Sequence, residues 1–265
     1  EINGILKLQN YKMRIIIITQ DDPFYLQENL AYLLSLLPSQ FKIVGCIVSD
    51  VTPFGKKDSF LKKAFKTYNI FGIKFFIYYS IKFIYSKIFK NSIKNFLKTE
   101  KITQIKLSES INNKSSLKLI KSFDPDLLVS ILGNQIFKKD LISLAPKGCI
   151  NLHTALLPKY RGLMPTFWVL KNNEQHTGVS VFFVDEGIDS GPIILQKKIE
   201  IKNMSQSELI KATKHLGMEL IAESINLISQ DKVKLISNPD SKMTYYSFPS
   251  SNDVKEFLRL GKKFF

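Results

Sequence analysis

Apolar positions along the chain come in short runs separated by polar, aspartate- or proline-bearing breaks. Arg14–Thr19 is a β-rich run, followed by Gln20-Asp-Asp-Pro23 and an amphipathic stretch, Phe24–Leu37, that predicts a helix. Phe41–Ser49 predicts a second strand, and Asp126–Leu132, entered through Asp124-Pro125, a third. Gly148–His153 predicts a fourth. Gly178–Val184 alternates apolar and polar positions and leads into an acidic loop, with Pro192–Ile201 as its expected partner strand. Ser205–Gln230 has apolar residues recurring at three and four, with Ser205 or Ser207 placed to cap a long helix. The last thirty residues, with Asn238-Pro239 and Ser247-Phe-Pro-Ser250, are expected to form an irregular tail packed on the domain. Strands alternating with helices indicate an α/β fold with a mostly parallel sheet.

Residues 58–100 break this rhythm and are expected to be a helical insertion. The segment Ile70–Phe89 is dense in Phe, Tyr and Ile, but Lys74 and Lys82 interrupt it. A transmembrane span needs about twenty predominantly apolar residues, so the segment is a poor span. Lys87, Lys90, Lys94 and Lys98 recur at helical spacing and make a basic face. Two readings stand side by side. One is an interfacial helix that grips an anionic membrane through residues 70–98. The other is a helical hairpin packed on the sheet or on a second subunit, as in a homodimer, because aromatic stripes are usually core.

The chain's 265 residues suffice for a sizeable core. Its 38 basic and 23 acidic side chains leave a net charge of +15, which favours anionic partners, although lysine-rich background composition would raise the charge too. Cys46 and Cys149 lie in apolar strand-like runs and are expected to be buried free thiols of a reducing, cytoplasmic environment. His153, His176 and His215 are too scattered for a zinc motif, so no metal is expected. The first apolar run, Ile15–Ile18, is too short for a signal peptide. Met13 preceding the first strand makes residues 1–12 an expected extension of little structural role. Residues 13–230 would then be the catalytic domain and 231–265 a short tail.

The chemistry concentrates in Cys149-Ile-Asn-Leu-His-Thr-Ala-Leu-Leu-Pro158 and Asp185-Glu-Gly-Ile-Asp-Ser-Gly191. Asn151 and His153 stand two apart on a strand end and so point to one face. An amide, an imidazole and a carboxylate can converge there on one reacting carbonyl. In acyl transfer to an amine, Asn151 can donate to the oxygen on which negative charge develops. His153 can assist as donor or base, and Asp189 can polarise the imidazole or relay the amine's proton. Gly187 and Gly191 would permit positive φ angles that turn the carboxylate inward. The spacing Asp185-x-Gly187-x-Asp189-x-Gly191 loosely resembles a calcium loop, but the downstream glutamate of an EF-hand is missing and strands flank it.

The run Asn151-Leu-His153-Thr-Ala-Leu-Leu-Pro158-Lys-Tyr-Arg161-Gly162 is followed by Pro165, Thr177-Gly178-Val179 and Asp185-Glu-Gly-Ile-Asp189-Ser-Gly-Pro192-Ile-Ile-Leu-Gln196. Together these closely resemble the 10-formyltetrahydrofolate-dependent formyltransferases, which include methionyl-tRNA, glycinamide ribonucleotide and sugar N-formyltransferases. The resemblance is strong over about residues 125–200 and weaker over 13–230. It implies a Rossmann-like sheet with helices on both faces and 10-formyltetrahydrofolate as formyl donor. It makes Asn151, His153 and Asp189 the catalytic trio, acting through a tetrahedral intermediate. By the same resemblance, Leu156, Leu157, Pro158 and the loop with Asp185 and Gly187 line the folate pocket. Gly133-Asn-Gln135-Ile136 corresponds to backbone that contacts the pterin.

The acceptor is less legible. Thr19-Gln-Asp-Asp-Pro23 lacks the glycines of the phosphate-cradling turn in the purine-pathway enzymes, and its two carboxylates would repel a phosphate unless another group intervened. About 35 residues follow the long helix, fewer than the C-terminal barrel of the tRNA enzymes requires. Arg161-Gly-Leu-Met-Pro165 and the basic charge keep methionyl-tRNA as an alternative. A formyltetrahydrofolate hydrolase and a catalytically silent RNA-binding relative are further alternatives. The favoured acceptor is a primary amine on a nucleotide-linked, or lipid-linked, amino sugar, with its phosphates meeting Lys159 or Arg161.

Overall fold

The computed structural model describes residues 12–50, 59–89, 92–132 and 135–265. The expected extension at 1–12 lies, but for Lys12, outside them, as do Gly133 and Asn134. In chain order the elements are β1 (Met13–Gln20), α1 (Leu26–Leu36), β2 (Phe41–Ser49), α2 (Phe60–Phe89), α3 (Ile93–Thr99), β3 (Gln104–Ile105), α4 (Lys114–Lys121), β4 (Leu127–Ser130) and α5 (Lys139–Ile142). They continue with β5 (Cys149–His153), β6 (Arg161–Gly162), α6 (Pro165–Lys171), β7 (His176–Phe183), β8 (Ile193–Glu200), α7 (Gln206–Ser229), β9 (Tyr245–Tyr246) and α8 (Ser251–Arg259).

Seven strands form one sheet in the order β3-β2-β1-β4-β5-β7-β8. The pairings from β3 to β5 are parallel, while β5–β7 and β7–β8 are antiparallel. The sheet is therefore mostly parallel, as expected, with an antiparallel edge. Four consecutive isoleucines in β1 show why. Ile15 and Ile17 pack with Leu26, Leu30 and Leu33 of α1 and with Met218, Ile221 and Ile225 of α7. Ile16 and Ile18 pack on the opposite face with Ile120 of α4 and Leu141 of α5. A strand covered on both faces needs apolar side chains at every position. The chain order turns around between β1 and β4, and in open α/β sheets ligands bind outside the carboxyl ends at such a reversal. Gln20 Nε2 donates to Leu132 O at 2.6 Å across that seam.

The insertion is helical, as expected, but α2 is two helices merged across Gly72, which has φ 80° and ψ 174°. Its inner side joins a third apolar cluster: Phe71 packs with Phe167, Trp168, Phe257 and Phe264 from α6, α8 and the chain end. The tail differs from the irregular segment expected. It contributes α8, opened by a Ser250–Asp253 capping box, and β9, which pairs parallel with β6. That pairing spans more than eighty residues of sequence, and no local periodicity announces a two-residue strand. Cys46 and Cys149 are free and buried, and burial pushes both thiols up to about 12. No helix among the described residues is long and apolar enough to cross a membrane.

Candidate active site

Asn151 and His153 occupy the carboxyl half of β5, paired with Phe182 and Ser180 of β7. Asp189 lies in the loop between β7 and β8. His153 Nδ1 stands 3.5 Å from Asp189 Oδ2, with both side chains largely buried. That separation exceeds the 2.7–2.9 Å or so of a charge-assisted hydrogen bond, so the pair is an electrostatic contact with room to tighten. The other ring nitrogen, Nε2, lies 2.7 Å from Tyr160 O. A carbonyl only accepts, so Nε2 carries a proton and Nδ1 is the nitrogen left to exchange one. Asp189 Oδ2 also accepts from Gly162 N at 2.8 Å. Asn151 Oδ1 is buried without a hydrogen-bond partner among the described residues. An orphaned buried acceptor costs about 1–3 kcal/mol, and an N–H or O–H of a bound ligand would satisfy this one.

The inward turn of Asp189 has a different cause from the one expected. Gly187 and Gly191 do not adopt positive φ; Asp189 itself is left-handed, with φ 49°. The two glycines serve close approach instead. A Cβ on Gly191 would fall 1.7 Å from Phe183 O, and one on Gly187 2.0 Å from Ser190 Oγ. Asp185 is exposed and turned onto its own loop, accepting from Gly187 N at 3.1 Å and Ser190 Oγ at 2.6 Å.

Arg161 is also corrected. It is 2% exposed rather than presented to a phosphate. Its Nη1 contacts Asp240 Oδ1 at 2.7 Å, and its Nη2 donates to Asn238 O and Oδ1 at 3.0 Å each. Asn238 Nδ2 donates in turn to Asp189 O and Gly191 O, both at 2.9 Å. A residue expected in a loose tail thus bridges Arg161 and the Asp189 loop. Lys159 remains exposed. Gly162 completes the brace at φ 97°, where a Cβ would meet Tyr246 O at 2.3 Å.

The segment Leu156–Pro158 is shaped by a buried hydroxyl the sequence reading passed over. Ser180 Oγ accepts from Leu157 N at 3.1 Å and donates to Ala155 O at 2.7 Å. Gln196 Nε2 holds both Ser180 Oγ and Leu157 O at 2.9 Å. The signal available was Gln196, a polar residue directly after the apolar run Ile193-Ile-Leu195 that opens β8. Leu157 is buried and Leu156 and Pro158 half-buried, whereas Gln135 and Ile136 are exposed.

A separate cleft of 440 Å³ opens at the carboxyl ends of β1 and β2, roofed by the end of α2 and the start of α3. Asp21, Asp22, Ser86, Lys87, Lys94 and Lys106 are among its walls, and none of Asn151, His153 and Asp189 is. The two carboxylates of the glycine-free turn are compensated here. Asp21 lies 3.7 Å from Lys87 Nζ, and Asp22 2.8 Å from Lys214 Nζ. Burial would raise the Asp22 carboxyl, but Lys214 and the backbone N–H groups of Phe24 and Tyr25 outweigh it and hold it below its ordinary value of 3.8. The repulsion of phosphate expected from this turn is therefore largely offset.

A family model described as formyl transferase matches residues 87–225, more than half of the chain. The protein belongs to the formyl transferase family. A methionyl-tRNA formyltransferase of Kosmotoga olearia is 38% identical over 138 residues, covering 52% of this chain and 44% of that protein. The corresponding protein of Thermotoga maritima is 33% identical over 147 residues, 55% of this chain and 47% of its own. This formyl transferase family member thus spans about half the length of these curated relatives. Among solved structures, an N-formyltransferase of Helicobacter canadensis in complex with folinic acid and dTDP-3-aminofucose superposes with TM-score 0.57 at 18% identity, covering 93% of this chain and 80% of that one. A phosphoribosylglycinamide formyltransferase of Anaplasma phagocytophilum gives 0.62 at 15% identity, covering 89% and 99%. At these identities the likeness establishes the shared Rossmann-like fold.

Proposed function

We propose that this protein transfers a formyl group from 10-formyltetrahydrofolate to the primary amine of a nucleotide-linked amino sugar. The observation that carries the reading is the meeting of His153 and Asp189 at 3.5 Å, two residues along β5 from Asn151, whose Oδ1 is a buried, unpartnered acceptor suited to an N–H of the incoming amine. The amine attacks the formyl carbon, and charge develops on the formyl oxygen. The Asn151 Nδ2–H is the donor assigned to it, and the His153 ring, with Nε2–H committed to Tyr160 O, becomes a second donor only once Nδ1 has taken up a proton. The amine's proton passes to the Nδ1–Asp189 pair, the only ring nitrogen not committed to Tyr160 O, and returns to the folate nitrogen as its bond to carbon breaks. Preorganised donors of this kind typically contribute 10²–10³-fold or about 3–4 kcal/mol each. Leu156, Leu157 and Pro158, held by Ser180 and Gln196, and the loop with Asp185 and Gly187 form the wall assigned to the folate, with Gln135 and Ile136 at its rim.

The cleft at β1 and β2 supports a small acceptor. Its 440 Å³ suits a small molecule, for which pockets of about 300–1,000 Å³ are usual. Lys87, Lys94 and Lys106 supply cations for a diphosphate, and Asp21 and Asp50 acceptors for hydroxyl or ammonium groups. Lys159 is the remaining exposed cation assigned to the substrate. A second reading, formylation of methionyl-tRNA, is favoured by the 38% identity to a methionyl-tRNA formyltransferase.

Tetrahydrofolate release from 10-formyltetrahydrofolate, followed with nucleotide-linked 3- and 4-amino sugars, methionyl-tRNA, glycinamide ribonucleotide and water, separates these. Turnover is expected with an amino sugar, and Asn151→Ala, His153→Ala and Asp189→Asn should each lower kcat by about 100-fold or more. Equal release by all three variants would sink the catalytic assignment. Turnover with methionyl-tRNA alone would install the second reading.

A further inference from the structure

Helix α2 is apolar nearly all the way round, and only one side of it is used by the fold. Phe71 and Phe75 stack with each other and pack edge-on against Phe264, at 5.6 and 4.9 Å between ring centres. Lys82 Nζ donates to Tyr25 OH at 3.1 Å, and Ser86 Oγ donates to Pro23 O. These contacts moor one face of the second leg. Opposite them, Ile73, Ile77, Ile81, Ile84 and Ile88 follow one another at spacings of four, four, three and four. They fall on a single stripe about 22 Å long, and they are 52–66% exposed. Phe60, Leu61 and Phe65 on the first leg are more exposed still, at 67–78%. The outer face of a helix on a water-soluble domain is ordinarily polar, and contiguous exposed apolar surface of this kind marks an interaction site.

The charge distribution says what covers it. Residues 59–99 hold nine lysines and no aspartate or glutamate, so nine of the chain's fifteen net positive charges lie in this stretch. The remainder of the chain, more than five times as long, carries 29 basic and 23 acidic side chains and so only six net positive charges. The basic excess is therefore local to the segment with the apolar stripe, not a uniform background. A second copy of the chain would bring two lysine-bearing, carboxylate-free helices face to face with no countercharge. An anionic bilayer surface matches both halves of the pattern. Isoleucines enter the boundary between headgroups and acyl chains, while lysines meet lipid phosphates. The break at Gly72 and the lysine at 74, beside the stripe, suit a helix lying in that boundary rather than crossing it.

We propose that the Ile73–Ile88 stripe of α2 docks this protein on anionic membrane surfaces. The inference does not depend on the acceptor or on the catalytic assignment. It is tested by flotation of the whole protein with phosphatidylcholine vesicles, with and without phosphatidylglycerol, at low salt and at about 0.5 M NaCl. Binding is expected only to the phosphatidylglycerol vesicles and should weaken in salt. The Ile77→Ser/Ile81→Ser/Ile84→Ser variant should bind about tenfold less or weaker still, and Lys74→Glu about fivefold less, each with an unchanged melting midpoint. Should the triple variant prove unstable, Lys74→Glu carries the comparison alone. Absence of binding to either vesicle, or equal binding by the variants, overturns the proposal. So does a dimer, measured by light scattering, that the triple variant converts to a monomer, since a second copy would then cover the stripe. Formyl release assayed on the same samples keeps a failure of docking distinct from a failure of catalysis.

Discussion

His153 is held by two contacts of different kinds, and the difference sets its chemistry. Nε2–H is spent on Tyr160 O, whereas Nδ1 faces a carboxylate that is itself pinned by Gly162 N. The ring therefore presents one exchangeable position, and backbone groups rather than mobile side chains fix which one it is. The Asp22–Lys214 pair shows the opposite use of charge, as a structural tie between the β1 turn and α7. Because Asp22 has a depressed pKa in the fold, its contribution to stability is present above about 3.8 and is lost as pH falls through the lower folded value. Lys214→Met would leave a buried carboxylate unpaired, at about 3 kcal/mol near neutrality. Burial would then raise Asp22, so protonation in acid relieves the variant. Denaturant melts from pH 7 to pH 3 should show the gap to the wild type narrowing as pH falls; a constant gap would mean the ion pair is not its origin.

Elements that meet at the site are joined mostly by their loops. β6 and β9 are only two residues each, yet they set the tail against the loop after β5, and Asn238 ties that tail to the loop before β8. Asn238 is a positioning residue: it touches Asp189 and Gly191 carbonyls and Arg161, not the reacting atoms. Asn238→Ala should lower kcat by about tenfold while the acceptor KM moves less than about twofold, since a misplaced carboxylate affects the transition state more than binding. Steady-state kinetics with the accepted amine decide this, and a rise in KM at constant kcat would assign Asn238 to the binding wall instead. The same element-level view explains the sheet. β1, β2, β4 and β5 were readable to within a residue or two because strands buried on both faces have no polar alternation to obscure them. The short pieces β3, α4, α5 and α6 carry too few periods to stand out, and tertiary packing alone makes them regular.

Among the described residues, three large apolar clusters and a small one of Leu157, Phe182 and Ile193 divide the labour. Two sandwich the sheet, and the third gathers α6, α8, the middle of α2 around Phe71 and the chain end around Phe167 and Phe257. That third cluster lies under the Tyr160–Gly162 segment that orients His153 and Asp189. A chain ending at Gln230 should therefore lose activity by more than about 100-fold and melt at lower temperature while keeping the strand content of its seven-stranded sheet. Calorimetry and far-ultraviolet dichroism would check it, and full activity in the shortened chain would remove the tail from the site. The charge is also organised at this scale, with a body of net charge +6 and a more densely basic, apolar flank along α2 and α3.

Local patterning dictated the strands, the long capped helix and the types of group proposed for catalysis, because a two-residue spacing on a strand fixes a shared face whatever surrounds it. Asn151 and His153 were legible for that reason. Asp189 was legible as a carboxylate but not in how it turns inward, since the left-handed backbone sits on the aspartate and its glycine neighbours make room for the Phe183 carbonyl at the end of β7 and the Ser190 hydroxyl. Arg161 could not be placed at all without Asn238 and Asp240, nearly eighty residues on. A side chain's partners across such distances arise from how whole elements pack, and neither periodicity nor composition encodes them. The same limit applies to α2: its sequence announced an apolar, basic helix, and packing against Phe264 and Pro23 selected which face is core and which five isoleucines are left facing outward.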